Sequence, residues 1–198
     1  ALSDGDKTIA AHLEAVPSVN LMIDDVDKAA AVMEAIAMTG FKPPGKLALD
    51  RSLNRNIPAL ARTASRCREL FPDLKLELLA NEGCLYQCPF KLTHDAHISL
   101  VHMDMDPDTH SVNRSLGCIR QLSEDPRALF KSPFIRPEDT AQYDPHVDIV
   151  KLCGRTLGPA FLKRVITAYL DRRFSGNLLD LMDAMDWLSD RWVVANQD

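Results

Sequence analysis

Two cysteines four positions apart, Cys84 and Cys88, stand in the stretch Asn81-Glu-Gly-Cys-Leu-Tyr-Gln-Cys-Pro-Phe90. On a helical first turn both sulphurs could face one point, where they would hold a metal, react, or fill space as small apolar groups. A Cys-x-x-x-Cys pair alone is a weak metal signal, because structural zinc sites more often place two residues between the thiols. Cys118 and Cys153 fall beside expected strand-to-loop junctions, so four thiols could converge on one face. Four thiolates suit an iron–sulphur cluster or zinc. Cys67, mid-helix among apolar neighbours, reads as a core residue.

Other chemistry-bearing residues gather near the same stretch. His94, His97, His102 and His110 are four of the six histidines. His94 and His97 could complete a zinc site with Cys84 and Cys88, carry protons, or stand as partly exposed polar groups. Glu82 is a second candidate proton carrier. Asp104, Asp106 and Asp108 alternate like the start of a calcium loop, but the glycine and closing glutamate of that loop are missing. Arg51, Arg55, Arg62, Arg66 and Arg68 form a locally basic segment that reads as a solvated face or an RNA contact. Lys151 and Arg155 flank a glycine in Lys-Leu-Cys-Gly-Arg, an arrangement able to hold a carboxylate or phosphate.

The elements that must position these groups follow from periodicity. Apolar runs at 17–23, 46–49, 74–80, 130–135 and 147–152 read as short buried strands. Helical spacing follows Asp24 to Gly40, from about 56 to Leu70, from Pro89 to about Val101, and from Phe161 to Leu170. A first short helix is expected from Thr8 to Val16 and a last one over 176–198, with a long loop at 102–117 between. Strand and helix alternate without a hairpin signal, which implies parallel βα units: an α/β chain, a single domain over 1–198 with about five units. A closed eight-stranded barrel typically needs ~250 residues, so the expectation is a partial or second-half TIM-type barrel. In a parallel sheet the strand ends share one face, and here they carry Arg51, Asn54, Asn81, Glu82, Arg136, Lys151 and Arg155 beside the cysteines.

The 198 residues carry a formal net charge of -5, with 46% apolar and 26% charged residues. That is an ordinary globular composition, and the negative charge disfavours broad electrostatic capture of nucleic acid. No apolar run approaches the ~18 residues of a membrane span. Five cysteines without a disulfide-scaffold spacing suit a reducing cytoplasm. No phosphate-binding glycine loop is present, which disfavours a nucleotide-binding doubly wound sheet.

Four segments taken together resemble the collagenase-like peptidase family U-32. They are Leu49-Asp-Arg-Ser-Leu-Asn-Arg55, the stretch 81–90, Ser132-Pro-Phe-Ile-Arg-Pro-Glu-Asp139 and Lys151-Leu-Cys-Gly-Arg155. Their order and spacing match over about residues 17–183, and Asn-Glu-Gly-Cys with its following Cys-Pro is the most specific piece. The resemblance implies a TIM-type barrel and an oxygen-sensitive 4Fe-4S cluster held by Cys84, Cys88 and Cys118, with Cys153 as the fourth ligand. It implies hydroxylation of RNA bases or quinone precursors without molecular oxygen, with Glu82 or His94 as proton carrier. Arg51, Asn54, Asn81, Arg136, Lys151 and Arg155 would then bind a small anionic substrate or an RNA base. The family's early strands have no counterpart here, which implies a fragment, a natively incomplete barrel, or a related chain that completes the barrel as a partner. The alternatives are a non-catalytic scaffold subunit, a zinc protein, and a peptidase-like hydrolase, for which the sequence shows no nucleophile–base pair.

Overall fold

The computed structural model describes residues 4–108, 110–183 and 185–196. A short helix α1 (Asp4–Ala10) precedes α2 (Val26–Thr39). Asp25 caps α2 by accepting from the Lys28 amide at 2.8 Å, and Gly40 closes it at φ +82°, a conformation glycine adopts without strain. Asp24, expected as the cap, instead holds the Lys28 ammonium at 2.5 Å.

Strand β1 (Lys46–Ala48) leads through a 3₁₀ turn at Arg51–Arg55 into α3 (Ile57–Leu70), which Asn56 caps. Strand β2 (Lys75–Leu79) follows, then α4 (Lys91–His102), α5 (Ser111–Ser115) and α6 (Cys118–Glu124). Strand β3 (Ile149–Lys151) precedes α7 (Gly158–Asp171). A short antiparallel pair, β4 (Gly176–Asn177) and β5 (Ala195–Asn196), brackets a single helical turn α8 (Asp186–Ser189).

Strands β1, β2 and β3 form one parallel sheet in that order. The central β2 is buried from Leu76 to Leu79, as befits a strand covered on both faces. Its Glu77 is buried at 3% exposure and held by Lys46 Nζ at 2.8 Å and Lys151 Nζ at 3.3 Å. Burying a carboxylate is costly without such partners. One core packs α2 and α3 on the sheet through Ile23, Leu47, Leu60, Leu76 and Leu78. A second gathers Leu122, Val165, Leu179, Leu181, Met185 and Leu188, and Leu152 and Tyr169 touch both.

The α/β class and three parallel strands agree with the sequence pattern, but the expected count of five strands does not. Residues 17–23 form a 3₁₀ turn at Val19–Leu21 capped by Ser18, and Met22 takes φ +49°, so only Ile23 reaches the sheet, accepting from the Asp50 amide at 2.7 Å. Residues 126–131 form another 3₁₀ turn, begun by Pro126 and capped by Asp125. The extended residues after it touch β2 through one bond, Ile135 N–H to Ala80 O at 2.9 Å. Among the described residues the sheet does not close into a barrel.

The expected C-terminal helix is likewise replaced. Asn177 Oδ1 accepts from the Leu179 and Val194 amides, and Met182 is extended, so residues 178–181 make a single 3₁₀ turn. The long loop expected at 102–117 contains α5. No helix among the described residues is long and apolar enough to cross a membrane.

Candidate functional site

The end of β2 is tied to two other segments by Asn81, which is fully buried. Its Oδ1 accepts from the Cys153 amide at 2.6 Å, and its Nδ2 donates to the carbonyls of Cys153 and Leu181, both at 3.1 Å. The Asn81 carbonyl accepts from the Asp183 amide at 2.8 Å. Glu82 then bridges to Asp183, and Gly83 lies so close to the 183–185 segment that a Cβ would sit 2.6 Å from the Asp183 carbonyl oxygen. Glycine is required there for close approach. The chain next makes the cysteine turn, with Gln87 at φ +50°, and enters α4 at Lys91.

Cys84 and Cys88 hydrogen-bond to each other through their thiols. That bond, donated by Cys84, holds the Cys88 thiol down at about 6; the Phe90 amide and the charges of Lys91 and Arg51 act the same way, against burial. Cys84 is pushed up, because it donates the bond and is buried, with the Glu82 charge adding to both. Cys118, at the start of α6, is raised by burial and then by the charge of Cys88, which places it electrically beside the pair. Cys153 is pushed up to about 11 by burial, then by Asp183 and Glu82. Cys67 is buried in the first core, as a small apolar group.

A chain of charges lies alongside the thiols. Arg51, buried at 7% exposure, pairs with Glu82. The other Glu82 oxygen lies 3.6 Å from Lys91 Nζ, which in turn meets Asp95 at 2.5 Å. Two cavities open on either side of Cys84. One, of about 150 Å³, has Glu82, Cys84, Lys91, His94, Asn113 and Cys118 in its wall. The other, of about 260 Å³, has Asp24, Lys28, Asp50, Arg51, Cys84 and Cys88.

The remaining candidate residues are placed as follows. Asn54 is buried, and its amide donates to the carbonyls of Leu79 and Pro133, both at 2.8 Å. Lys151 is paired with Glu77. Arg136 chelates Asp139 at 2.7 and 2.9 Å, away from the thiols. Arg155 is exposed in the turn after β3. His94 lines the smaller cavity and meets Asn113 Nδ2 at 2.9 Å through Nε2. His97 is buried, and its Nε2 meets both Asp106 at 3.1 Å and Ser111 Oγ at 3.3 Å, while its Nδ1 has no hydrogen-bond partner. A hydrolytic triad needs the acid and the hydroxyl on opposite ring nitrogens, so these three residues do not form one.

Nothing in the sequence pattern singles out Asn113, and Lys91 stands outside the cysteine motif. Lys91 carried a signal nonetheless, three residues after Cys88 and four before Asp95, at helical salt-bridge spacing. Among the described residues no group of three or more Cys, His, Asp and Glu side chains is drawn together at metal-binding spacing.

The thiol pair sets a pH dependence. In chelator-treated protein, Cys88 is expected to react with iodoacetamide first, with a half-maximal rate near pH 6, read by mass mapping of the label. Removing the donor in Cys84→Ala should return the profile toward the ordinary thiol range. The linkage has a definite sign. Cys88 is depressed on folding, so it adds stability at higher pH and loses it as pH falls through about 6. Cys84, raised on folding, works the other way above the ordinary thiol range.

The chain is 35% identical over 187 residues to a protein named "Uncharacterized protease MJ1657" from Methanocaldococcus jannaschii. The match covers 93% of this chain and 52% of the relative, so the chain spans about half the length of the protein it matches. No family model matches the chain, and no solved structure matches it. The chain is thus similar to a protein named as a protease.

Proposed function

We propose that this chain is an iron–sulphur protein of the U-32 type, with the cluster held at the end of β2. The observation that carries the reading is that Cys84, just after β2, and Cys118, at the start of α6, share the wall of the 150 Å³ cavity with Lys91, and that Cys88 follows Cys84 in the same turn. Sulphur is the donor type a 4Fe-4S cluster takes, so the residues fit it in kind, while their side chains are not drawn together at metal-binding spacing among the described residues. Cys84, Cys88 and Cys118 would hold it, and Cys153, one strand over, is the proposed fourth ligand. When bound, such a cluster supplies electrons or activates an oxygen donor.

The chain's own groups act around it. Lys28, Arg51 and Lys91 line the 260 Å³ cavity and hold an anionic group of the substrate, either the phosphate of an RNA nucleotide or the carboxylate of a quinone precursor. Arg155, exposed in the turn after β3, extends that cationic face, while Lys151 neutralises Glu77 beneath it. Asn54 and Asn81 position the strand ends through backbone carbonyls. Glu82, between Arg51 and Lys91, and His94, beside Cys84, move the proton. The three parallel strands are read as part of a TIM-type barrel that further βα units or a related chain complete.

The relative's name favours a second reading, hydrolysis by a thiolate nucleophile, and the depressed Cys88 thiol supports it. Anaerobic purification with iron, sulphide and zinc analysis separates the readings. The cluster reading expects about four iron and four sulphide per chain with broad visible absorption, lost in Cys84→Ala. Zinc without colour points to a structural zinc site. A colourless, metal-free protein overturns the cluster and leaves the thiolate nucleophile, which then requires Cys88→Ala to abolish peptide cleavage.

A further inference from the structure

A third cavity lies across the 178–185 segment from the thiols. Met182 lines it, whereas Asp183 and Met185, one and three residues on, line the 150 Å³ thiol cavity. Its volume is about 500 Å³, in the range of small-molecule sites. Leu129, Phe134, Leu178, Met182 and Val194 give it an apolar wall, and Phe130 stands at its rim, 67% exposed. A large aromatic ring left that open beside a cavity is a ready stacking surface.

The polar groups of this cavity are unequal. Arg136 holds Asp139 with two bonds, at 2.7 and 2.9 Å, and reaches Asn196 Oδ1 at 3.3 Å with Nη1. Asn196 in turn donates to Glu138 at 2.8 Å and to the Phe174 carbonyl at 2.6 Å. Their hydrogen-bonding capacity is largely taken up within the protein. Arg55 is different. Among the described residues it pairs with no carboxylate, and its guanidinium donates to the Phe130 carbonyl at 3.0 Å through Nη2. That bond fixes the planar group at the rim beside the exposed ring and leaves donors over. An apolar cavity with one uncompensated guanidinium suits a small organic anion, with the apolar body inside and the anionic oxygens on the fork. Glu138 and Asp139 against the one cation of Arg136 work against a second negative charge on the ligand.

We propose that this cavity binds a small organic monocarboxylate with a flat apolar body, its carboxylate on Arg55 and its ring against Phe130 and Phe134. The proposal stands apart from the cluster, since no thiol lines the cavity. One segment forms part of both walls, so an occupant would sit just behind Asp183 and Met185.

The test uses the full chain and two probes of equal shape, benzoate and its neutral analogue benzamide, with binding followed by ligand-observed NMR titration. Benzoate is expected to saturate and to bind at least ~10-fold more tightly than benzamide, the worth of one charge-assisted hydrogen bond. Arg55 is exposed, so Arg55→Gln folds; it should weaken benzoate ~10-fold and leave benzamide unchanged, while Arg55→Lys keeps part of the preference. Cys84→Ala should bind benzoate as the parent does, which separates failure here from failure of the cluster reading. Equal affinity for the two probes overturns the proposal. So does benzoate binding that Arg55→Gln leaves intact, or no saturable benzoate binding below about 10 mM.

Discussion

Asn81→Ala is expected to lower the unfolding free energy by about 3–5 kcal/mol, a large part of the ~5–15 kcal/mol typical of a domain. The substitution removes one acceptor and the donors of two bonds at a position with no solvent exposure. It leaves the Cys153 N–H and the Cys153 and Leu181 carbonyls without partners, and each unmade buried bond costs about 1–3 kcal/mol. Asn81→Asp is the finer probe. It keeps the acceptor for the Cys153 amide but turns a carboxylate oxygen toward two carbonyls, so its loss should be greater at neutral than at acidic pH. Urea denaturation of the three proteins measures both effects. A loss below about 0.5 kcal/mol for Asn81→Ala would show that water replaces these bonds at no cost.

Gly83→Ala has the next largest expected effect. The added methyl would meet the Met185 side chain, itself buried at 2% exposure, and would sit 2.6 Å from the Asp183 carbonyl oxygen. The methionine can turn, but the carbonyl belongs to backbone already tied to Asn81. The strand end must therefore move away from the 183–185 segment, at an overpacking cost of about 1–3 kcal/mol. Cys84 is the next residue and moves with it. Urea denaturation should show the loss of stability, and the iodoacetamide profile of Cys88 should drift back toward the ordinary thiol range. Parent-like values of both would mean that the approach at Gly83 does not hold the thiol pair in place.

Where one rule decided the local structure, the sequence was readable. Apolar-rich runs gave β1, β2 and β3, and helical spacing gave α2, α3 and α7. The failures lie where two signals compete. Leu178, Leu181, Met182, Met185 and Leu188 recur at helical spacing, and all are buried, yet Asn177 binds both ends of that region and leaves two separate short turns, 178–181 and α8. Residues 17–23 and 130–135 have strand composition, but Ser18 and Pro126 start tight turns within or just before them. In the site, Arg51, Glu82, Cys84, Cys88 and Cys118 were visible as residue types at strand ends or loop junctions expected to share one face. The work of Asn81 was not, because all its side-chain partners are backbone atoms of remote segments. The role of Lys151 was hidden similarly, since nothing local showed that Glu77 would be buried and require a cation.

The length of the connections made by Asn81 bears on how the molecule comes together. Its partners lie 72 and 100 positions further along the chain. Contacts between such distant segments form late, because closing long loops must precede any gain from them. During synthesis the cysteine turn would therefore emerge well before the segment that braces it. Amide exchange at Cys153 and Asp183 should become protected together, after the β1–β2 ladder. An interruption after residue 150 would leave the cysteine turn without the segments that brace it and its thiols open to oxidation.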